Sequence, residues 1–202
     1  MVTSTTAYCV AELLDTAGFP VRVAYRHIRP VTVIYARGSG LYATATVEAW
    51  RKLNDWLAAH DARREVKRAF GVFLDNPQTT PDELMRYDAC VQMAPGWVAD
   101  QDGCIGRQTL GGGTYAVHTH VGTYDALGEL FSGLHRAFVP RQGLSVDYDR
   151  AFMAIHLNDP RVTREVHRRT EVCVPVMPLP LALPDEADGQ DDLTATLLLA
   201  TG

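Results

Sequence analysis

Two stretches of the chain, FGVFLDNPQTTPDELMRYDACVQM at residues 70–93 and FMAIHLNDPRVTREVHRRTEVCVPV at residues 152–176, are versions of one pattern. At an offset of 83 residues the matched positions are Pro77 with Pro160, Thr80 with Thr163, Asp88 with Glu171 and Cys90 with Cys173. Upstream, VTVIYARGSGLY (31–42) matches TYAVHTHVGTY (114–124), so that Gly40 meets Gly122 and Tyr42 meets Tyr124. The chain is therefore predicted to be a tandem duplication with halves at about 31–93 and 113–176.

Each half reads as a strand, a glycine turn, a helix, a strand, a short Asp/Asn-Pro turn and a last strand. The helical stripes are Val47, Trp50, Leu53 and Leu57 in the first half, and Leu127, Leu130, Phe131, Leu134 and Phe138 in the second. The later strands are expected at about 68–74 and 86–93, and at 150–157 and 169–176. The predicted fold is α+β, with two β-α-β-β units, antiparallel sheets, helices on one side and a central ligand groove on the other.

Alternation along each strand assigns the side chains to the two faces. Toward the helices we expect Val72, Leu74, Tyr87, Ala89, Val91, Met153, Ile155, Leu157, Val172 and Val174. Toward the groove we expect Phe73, Asp88, Cys90, Ala116, His118, His156, Glu171 and Cys173. A register error of one residue would reverse the assignment in the strand concerned.

Composition sets the broad class. A chain of 202 residues with 47% hydrophobic content is long enough to bury a core of one domain or two small ones. No run approaches the roughly 18 apolar residues of a membrane-spanning helix, and residues 1–20 lack the pattern of a signal peptide, so no membrane contact is expected. The four cysteines show no CxxC spacing, which favours reduced thiols in a cytoplasmic protein.

The net charge of −5 is concentrated near the C-terminus. Five of the 24 acidic residues follow Met177, and the remaining chain carries 19 acidic and 19 basic residues. A neutral body argues against a nucleic-acid-binding surface. Residues 1–20 are assigned to an N-terminal extension, residues 21–177 to the domain, and residues 178–202 to an acidic tail predicted to be disordered.

Several motifs in order resemble the GyrI-like small-molecule-binding family, which also supplies the effector-binding half of AraC-type and MerR-type regulators. They are RYDACV (86–91), GRQTLGGGTYAVHTHVGTYDALGELFSGL (106–134), HLNDP (156–160) and RRTEVCVPV (168–176). The resemblance covers about residues 20–176 and implies two pseudosymmetric halves with a ligand groove between them. The chain departs from the family at RGSGLYATAT (37–46) and has GTY, where GPY is usual, at 122–124. Only about 20–30 residues precede the domain, too few for a helix-turn-helix module, so a stand-alone binding protein or an enzyme is expected.

The resemblance implies that Glu171 lies in the ligand pocket. There it would attract a cationic aromatic drug, or it would activate water in hydrolysis of a cyclopropane-containing cytotoxin. The alternative is a solvated strand-end carboxylate paired with Arg168 or Arg169. His118 is the second catalytic candidate of the hydrolase hypothesis, as the group that orients the substrate or protonates the leaving group.

The remaining candidates are ligand-binding residues, namely Tyr42, Phe73, Asp88, Cys90, Trp97, His156 and Cys173. Asp88 is either a second pocket carboxylate or part of an ion pair with Arg86, and Trp97 is either a lid or a packing residue. Cys90 and Cys173 are expected to be small apolar groove residues, because neither has a basic partner in sequence. His118 and His120 share a strand face, but zinc needs a third ligand, so no metal and no cofactor are predicted.

Three functions follow. The first is binding of a hydrophobic, aromatic drug or cytotoxin for sequestration, detoxification or self-resistance. The alternative is hydrolysis of a reactive ring by Glu171, and the third is a gyrase-inhibitor type of protein partner, for which the neutral body offers no evident surface.

Overall fold

The computed structural model describes residues 7–14, 20–76, 79–97, 103–139 and 143–179. Its strands are β1 (Ala7–Leu14), β2 (Pro20–Ile28), β3 (Val31–Ser39), β4 (Val66–Phe73), β5 (Arg86–Met93), β6 (Gly106–Leu110), β7 (Gly113–Val121), β8 (Leu144–Val146), β9 (Phe152–His156) and β10 (Arg169–Pro178). The helices are α1 (Tyr42–Ala59) and α2 (Leu127–Gly133), and α2 continues into a π-helical turn at Leu134–Phe138. Short 3₁₀ turns are formed by Arg63–Glu65, Asp82–Leu84, Tyr124–Ala126 and Glu165–His167.

The described strands form one antiparallel sheet in the order β1-β2-β7-β10-β9-β4-β5-β3-β6, with β8 paired to β10. The two predicted units are present as β3-α1-β4-β5 and β7-α2-β9-β10. They meet at the centre of the sheet, where β4 pairs with β9 and Phe73 lies opposite Phe152. The predicted α+β fold is confirmed.

The sheet also contains two strands, β2 and β6, that the repeat pattern did not predict. β6 is an edge strand, whereas β2 lies between β7 and the edge strand β1. β2 directly precedes β3 in the chain but pairs with β7 of the other half, and β6 directly precedes β7 but pairs with β3. Each half therefore completes the sheet of the other, which ties the two halves together. The alternation of Val21 and Val23 with polar residues was the available signal for β2.

One described strand precedes the predicted start of the domain at residue 21. Residues 7–14, assigned to an N-terminal extension, form β1, which pairs with β2. The acidic tail lies outside the described residues from position 180 onward. Within the described part of the chain, neither helix has both the length and the apolar character needed to cross a membrane.

Both helices pack on the same face of the sheet, one on each half. α1 buries Ala45, Ala49, Leu53, Trp56 and Leu57 against strands of the first half, whereas Val47 of the predicted stripe is 68% exposed. The alanines and Trp56, not Val47, mark the buried face. α2 and its π-helical turn bury Leu127, Leu130 and Leu134 against Val172 and Val174, and the side chain of Phe138 lies outside the described set.

The face away from the helices carries a third apolar cluster, and here part of the predicted side assignment was wrong. Val72 pairs directly with Asp88 and Ile155 with Glu171, and directly paired residues share a face. Residues that lie on the helix-free face are Phe70, Val72, Asp88, Cys90, Met153, Ile155, Glu171 and Cys173. Residues that instead lie on the helix face are Phe73, Ala116, His118 and His156.

The error has a simple cause. Alternation separates the two sides of one strand but does not say which sides of neighbouring strands coincide. β4 and β9 are central strands with apolar residues on both faces, so a shift of one residue does not change their hydrophobic pattern. In β7 the polar character of His118 suggested the groove side, yet His118 pairs with Val172 on the helix face. In β5 and β10 the carboxylates distinguish the faces, and there the predicted sides were correct.

Candidate functional sites on two faces of the sheet

The helix face carries a groove of about 810 Å³ between α2, the end of β4 and the start of β9. Six ring-bearing residues line it and define what we call the aromatic groove: Tyr42, Phe73, Phe131, His135, Tyr148 and Phe152. Phe73 and Phe152 form its centre because they are paired across the two middle strands, one from each half. The groove thus exists only where the two halves meet.

The rings of the aromatic groove contact each other edge to face. Phe131 lies 4.9 Å from Phe73 between ring centroids, and Tyr42 lies 5.1 Å from Phe73. On the opposite side His135 lies 5.8 Å from Phe152. This geometry is favourable for aromatic pairs and leaves ring edges and faces available to a further ring.

The polar groups in the interior of the aromatic groove are held neutral or paired, whereas Arg136 and Asp149, which also line it, are exposed. The hydroxyl of Tyr42 donates to the carbonyl oxygen of Asp75 at 2.5 Å, and burial raises the pKa of Tyr42 to about 12. Nε2 of His135 lies 2.5 Å from the Tyr148 hydroxyl, and burial lowers the pKa of His135. The carboxylate of Asp75 is bound by Arg86 at 2.8 Å. The walls of the groove therefore present mainly apolar rings.

The pseudosymmetric counterpart of this groove is filled by side chains. Tyr124 and His156, the repeat partners of Tyr42 and Phe73, lie 5.2 Å apart, and Trp50 contacts His156 from the other side at 5.4 Å. Both ring nitrogens of His156 and the hydroxyl of Thr170 are buried with no hydrogen-bond partner in the described residues. Burial lowers the pKa of His156 to about 4, so the ring is neutral.

A second cavity of about 810 Å³ lies at the helix-free face, and Glu171 is in its wall. We call it the arginine cavity, because its charged lining consists of Arg26, Arg29, Arg68 and Arg107 together with Glu171. Oε2 of Glu171 lies 2.5 Å from Nη2 of Arg26, and Glu171 is 9% exposed. Glu171 is therefore a largely buried, ion-paired carboxylate rather than a solvated one, and its partner is neither Arg168 nor Arg169.

Asp88, the repeat partner of Glu171, is fully buried and lines neither cavity. It accepts hydrogen bonds from Nε and Nη2 of Arg37 at 2.7 and 2.9 Å, and from Nε2 of Gln108 at 3.0 Å. Arg86, the partner considered from sequence, binds Asp75 instead. The arrangement of Asp88 is that of a buried ion pair with its oxygens satisfied.

The two predicted groove cysteines are buried in the apolar cluster of the helix-free face. Burial raises the pKa of both thiols, of Cys90 and of Cys173, so they remain protonated. His118 lies on the helix face, where its Nδ1 is 3.0 Å from the carbonyl oxygen of Arg22. Among the described residues no group of three metal-ligating side chains occurs.

The predicted site residues are thus divided between places. Tyr42 and Phe73 line the aromatic groove, Glu171 and Trp97 line the arginine cavity, and Trp97 also packs edge to face on Trp56 at 5.9 Å. The residues that line neither cavity are Asp88, Cys90, His118, His156 and Cys173. His135, Tyr148 and Phe152 were not among the predicted site residues, and Phe131 was predicted to belong to the core. The signal for them was a cluster of aromatic residues around the start of β9.

A duplicated antiparallel sheet with two helices on one face and a ligand-sized cavity on each face defines a small-molecule-binding domain of the α+β class. The chain belongs to the GyrI-like family, since residues 23–177 match the GyrI-like small molecule binding domain. The resemblance inferred from the motifs is therefore confirmed.

Similar proteins agree with this assignment. The probable transcriptional regulator YgiV of Escherichia coli O157:H7 is 28% identical over 132 residues, which are 65% of this chain and 74% of that protein. EcmrR in its complex with DNA matches 79% of this chain with a TM-score of 0.63 at 15% identity, and this chain spans only 58% of EcmrR. SAV2435 bound to tetraphenylphosphonium matches 77% of this chain and is itself covered to 93%, with a TM-score of 0.54 at 14% identity. At such identities the structural matches show a shared fold.

Proposed function

We propose that this protein binds a hydrophobic, aromatic small molecule in the aromatic groove and thereby sequesters or detoxifies it. The observation that carries the proposal is the pairing of Phe73 with Phe152 at the junction of the two halves, with Phe131 and Tyr42 packed around it. A volume of about 810 Å³ is in the range of pockets that enclose drug-sized molecules. The unpaired thiols of Cys90, Cys104 and Cys173 accord with action in a reducing compartment such as the cytoplasm.

The chemistry of the lining favours a ligand with several rings. Edge-to-face contacts already link the walls, and an added ring would extend the same packing. Of the two carboxylates in the lining, Asp75 is paired with Arg86 and Asp149 is exposed to solvent, so selection rests on shape and apolar surface more than on an ion pair. Tetraphenylphosphonium, the compound bound in the structure of SAV2435, has this shape and is a suitable probe.

Sequestration is favoured over hydrolysis by the positions of the two catalytic candidates. Glu171 lies at the helix-free face and is bound to Arg26, whereas His118 lies on the helix face and contacts the carbonyl of Arg22. The two side chains do not converge on one space, and neither lines the aromatic groove. A carboxylate held by an arginine is also poorly placed to take a proton from water.

The binding proposal is tested by titrating tetraphenylphosphonium into the wild-type protein and into Phe131→Ala and Tyr148→Ala. Each change removes a ring from the wall, and we expect affinity to fall by about tenfold, the scale of one aromatic contact with its buried area. Val162→Ala serves as the control, because Val162 is 85% exposed and lines neither cavity. If both groove variants bound tetraphenylphosphonium as tightly as the wild-type protein, the aromatic groove would not be the binding site.

A second measurement distinguishes binding of the ligand from its chemical conversion. An aromatic electrophile is incubated with the wild-type protein and with Glu171→Gln, and bound and converted species are followed together. Under our proposal both proteins bind the electrophile, and the total amount of unconverted electrophile is the same with the wild type and with Glu171→Gln. Conversion that is present in the wild type and lost in Glu171→Gln would replace sequestration by hydrolysis.

A further inference from the structure

The sheet opens at one end of the first half. The ladder between β3 and β5 stops at the pair Ile34 and Val91. β3 continues to pair with β6 as far as Val31, and β5 continues to pair with β4 as far as Met93. β3 and β5 therefore diverge, and the arginine cavity occupies the space between them, next to the loop at residues 94–97.

The charge of this cavity is unusual for the chain. Outside the tail the chain has equal numbers of acidic and basic residues, yet four arginines line this cavity against one glutamate. Glu171 is already paired with Arg26. Arg29, Arg68 and Arg107 form no ion pair with any residue that the structure describes. Three positive charges thus face the cavity without a counter-charge from the described chain.

Part of this positive surface is held in place. The guanidinium of Arg68 lies 4.9 Å above the ring of Phe70, which is fully buried. Arg26 is anchored by Glu171, so its remaining donors are fixed relative to those of Arg68. Guanidinium groups present planar sets of N–H donors that match carboxylate, sulfonate and phosphate oxygens.

The lining also has an apolar part, beside the polar side chains of His27, Thr32 and Gln92. Ile28, Val33, Met93, Trp97 and Ile155 contribute side chains to the same cavity. A small inorganic anion would leave this surface uncovered, whereas an anion with an apolar body would contact both parts. From this combination we infer that the arginine cavity is a second binding site, separate from the aromatic groove, for an amphipathic organic anion.

Glu171 then has a positioning role. Its carboxylate holds Arg26 at the wall of the cavity and neutralises that one charge, while Arg29, Arg68 and Arg107 supply the attraction. This role differs from the one that the family resemblance implied, in which the same glutamate attracts a cation. A cation entering this cavity would meet the arginines first and would be repelled.

The test compares naphthalene-1-sulfonate with naphthalene-1-sulfonamide, which share one apolar body and differ in charge. Titration calorimetry should show that the wild-type protein binds the sulfonate at least tenfold more tightly, the scale of a charge-assisted contact. The double variant Arg68→Gln/Arg107→Gln should abolish this preference. Arg64→Gln/Arg164→Gln removes the same net charge from exposed positions outside both cavities and should keep it.

Two further arms separate this site from the aromatic groove. The preference for the sulfonate should persist in Phe131→Ala and in the presence of saturating tetraphenylphosphonium, because the two cavities lie apart. Equal binding of the two naphthalene compounds, absence of sulfonate binding, or an unchanged preference in Arg68→Gln/Arg107→Gln would each overturn the inference. The test compares only the two naphthalene compounds, so its result can be interpreted even if the aromatic groove binds no ligand.

Discussion

Asp88 and Glu171 occupy equivalent positions on β5 and β10, yet each carboxylate is neutralised by a different strand. Asp88 is bound by Arg37 from β3 and by Gln108 from the edge strand β6. In the second half the counterpart of Arg37 is Thr119, and Arg26 from β2 occupies the position that Gln108 occupies in the first half. Equivalent positions of the duplicated backbone therefore form a buried ion pair in the first half and part of a cavity wall in the second.

Asp88→Asn should destabilise the protein strongly. The substitution leaves the guanidinium of Arg37 without its charge partner beside a fully buried amide. Breaking a buried pair typically costs 3–5 kcal/mol, and because the side chain of Arg37 is 39% exposed we expect about 3 kcal/mol. Urea denaturation gives the free energy of unfolding. A loss below about 1 kcal/mol would show that water replaces the pair.

Glu171→Gln should have a smaller effect, about 1 kcal/mol. Its carboxylate makes one ion pair at the edge of a cavity, so water can solvate Arg26 when the charge is removed. Glu165→Gln is the matched control, because Glu165 also pairs with one arginine but its side chain is 66% exposed, and it should change stability by less than about 0.5 kcal/mol. If Glu171→Gln proved as costly as Asp88→Asn, the two pairs would be equally buried in solution.

Gly38→Ala should destabilise the packing of α1. A Cβ atom at this position would lie 2.0 Å from the carbonyl oxygen of Ala45, which is helix backbone and cannot rotate away. We expect a loss of at least about 2 kcal/mol in thermal or urea unfolding, in the range of overpacked cores. Gly128→Ala is the contrast, because no atom lies within 4 Å of the added Cβ and alanine favours the helix, so stability should rise by up to about 1 kcal/mol. A loss of stability in Gly128→Ala as well would contradict the open space around this position of α2.

Stability should fall as pH is lowered below about 6.5 because His156 is buried in its neutral form. Its pKa is lowered from 6.5 to about 4 by burial, so between these values the unfolded chain binds a proton that the folded chain does not. The free energy of unfolding should therefore decrease by up to about 1.4 kcal/mol per pH unit in this window.

His156→Phe tests this dependence, because phenylalanine is the residue at the equivalent position 73. Urea unfolding at pH 7 and pH 5 should show that the wild type loses about 2 kcal/mol more than the variant over this interval. The contribution of His135, whose pKa is also lowered by burial, is common to both proteins and cancels. Parallel pH profiles would mean that His156 is accessible to protons in the folded state.

The sequence by itself determined the duplication, the two helices and the strands that carry the carboxylates. Matched positions such as Asp88 with Glu171 and Tyr42 with Tyr124 exposed the repeat, and the repeat predicted one fold for both halves. Family membership followed from motifs that lie in order along the chain. These features depend on local periodicity and on the order of matching residues along the chain, and both can be read directly from the sequence.

The tertiary structure alone decided which residues share a space. The side assignment failed in β4 and β9 because both faces of a central strand are apolar, and it failed in β7, where the polar His118 lies on the helix face. Only pairing with β5 and β10 shows that Phe73 and Glu171 are on opposite faces. The exchange of β2 and β6 between the halves is equally invisible in the sequence, since each strand pairs far from its neighbour in the chain. That exchange brings Arg26 to Glu171, because a cavity wall is built from side chains that meet only after long-range strand pairing has placed them together.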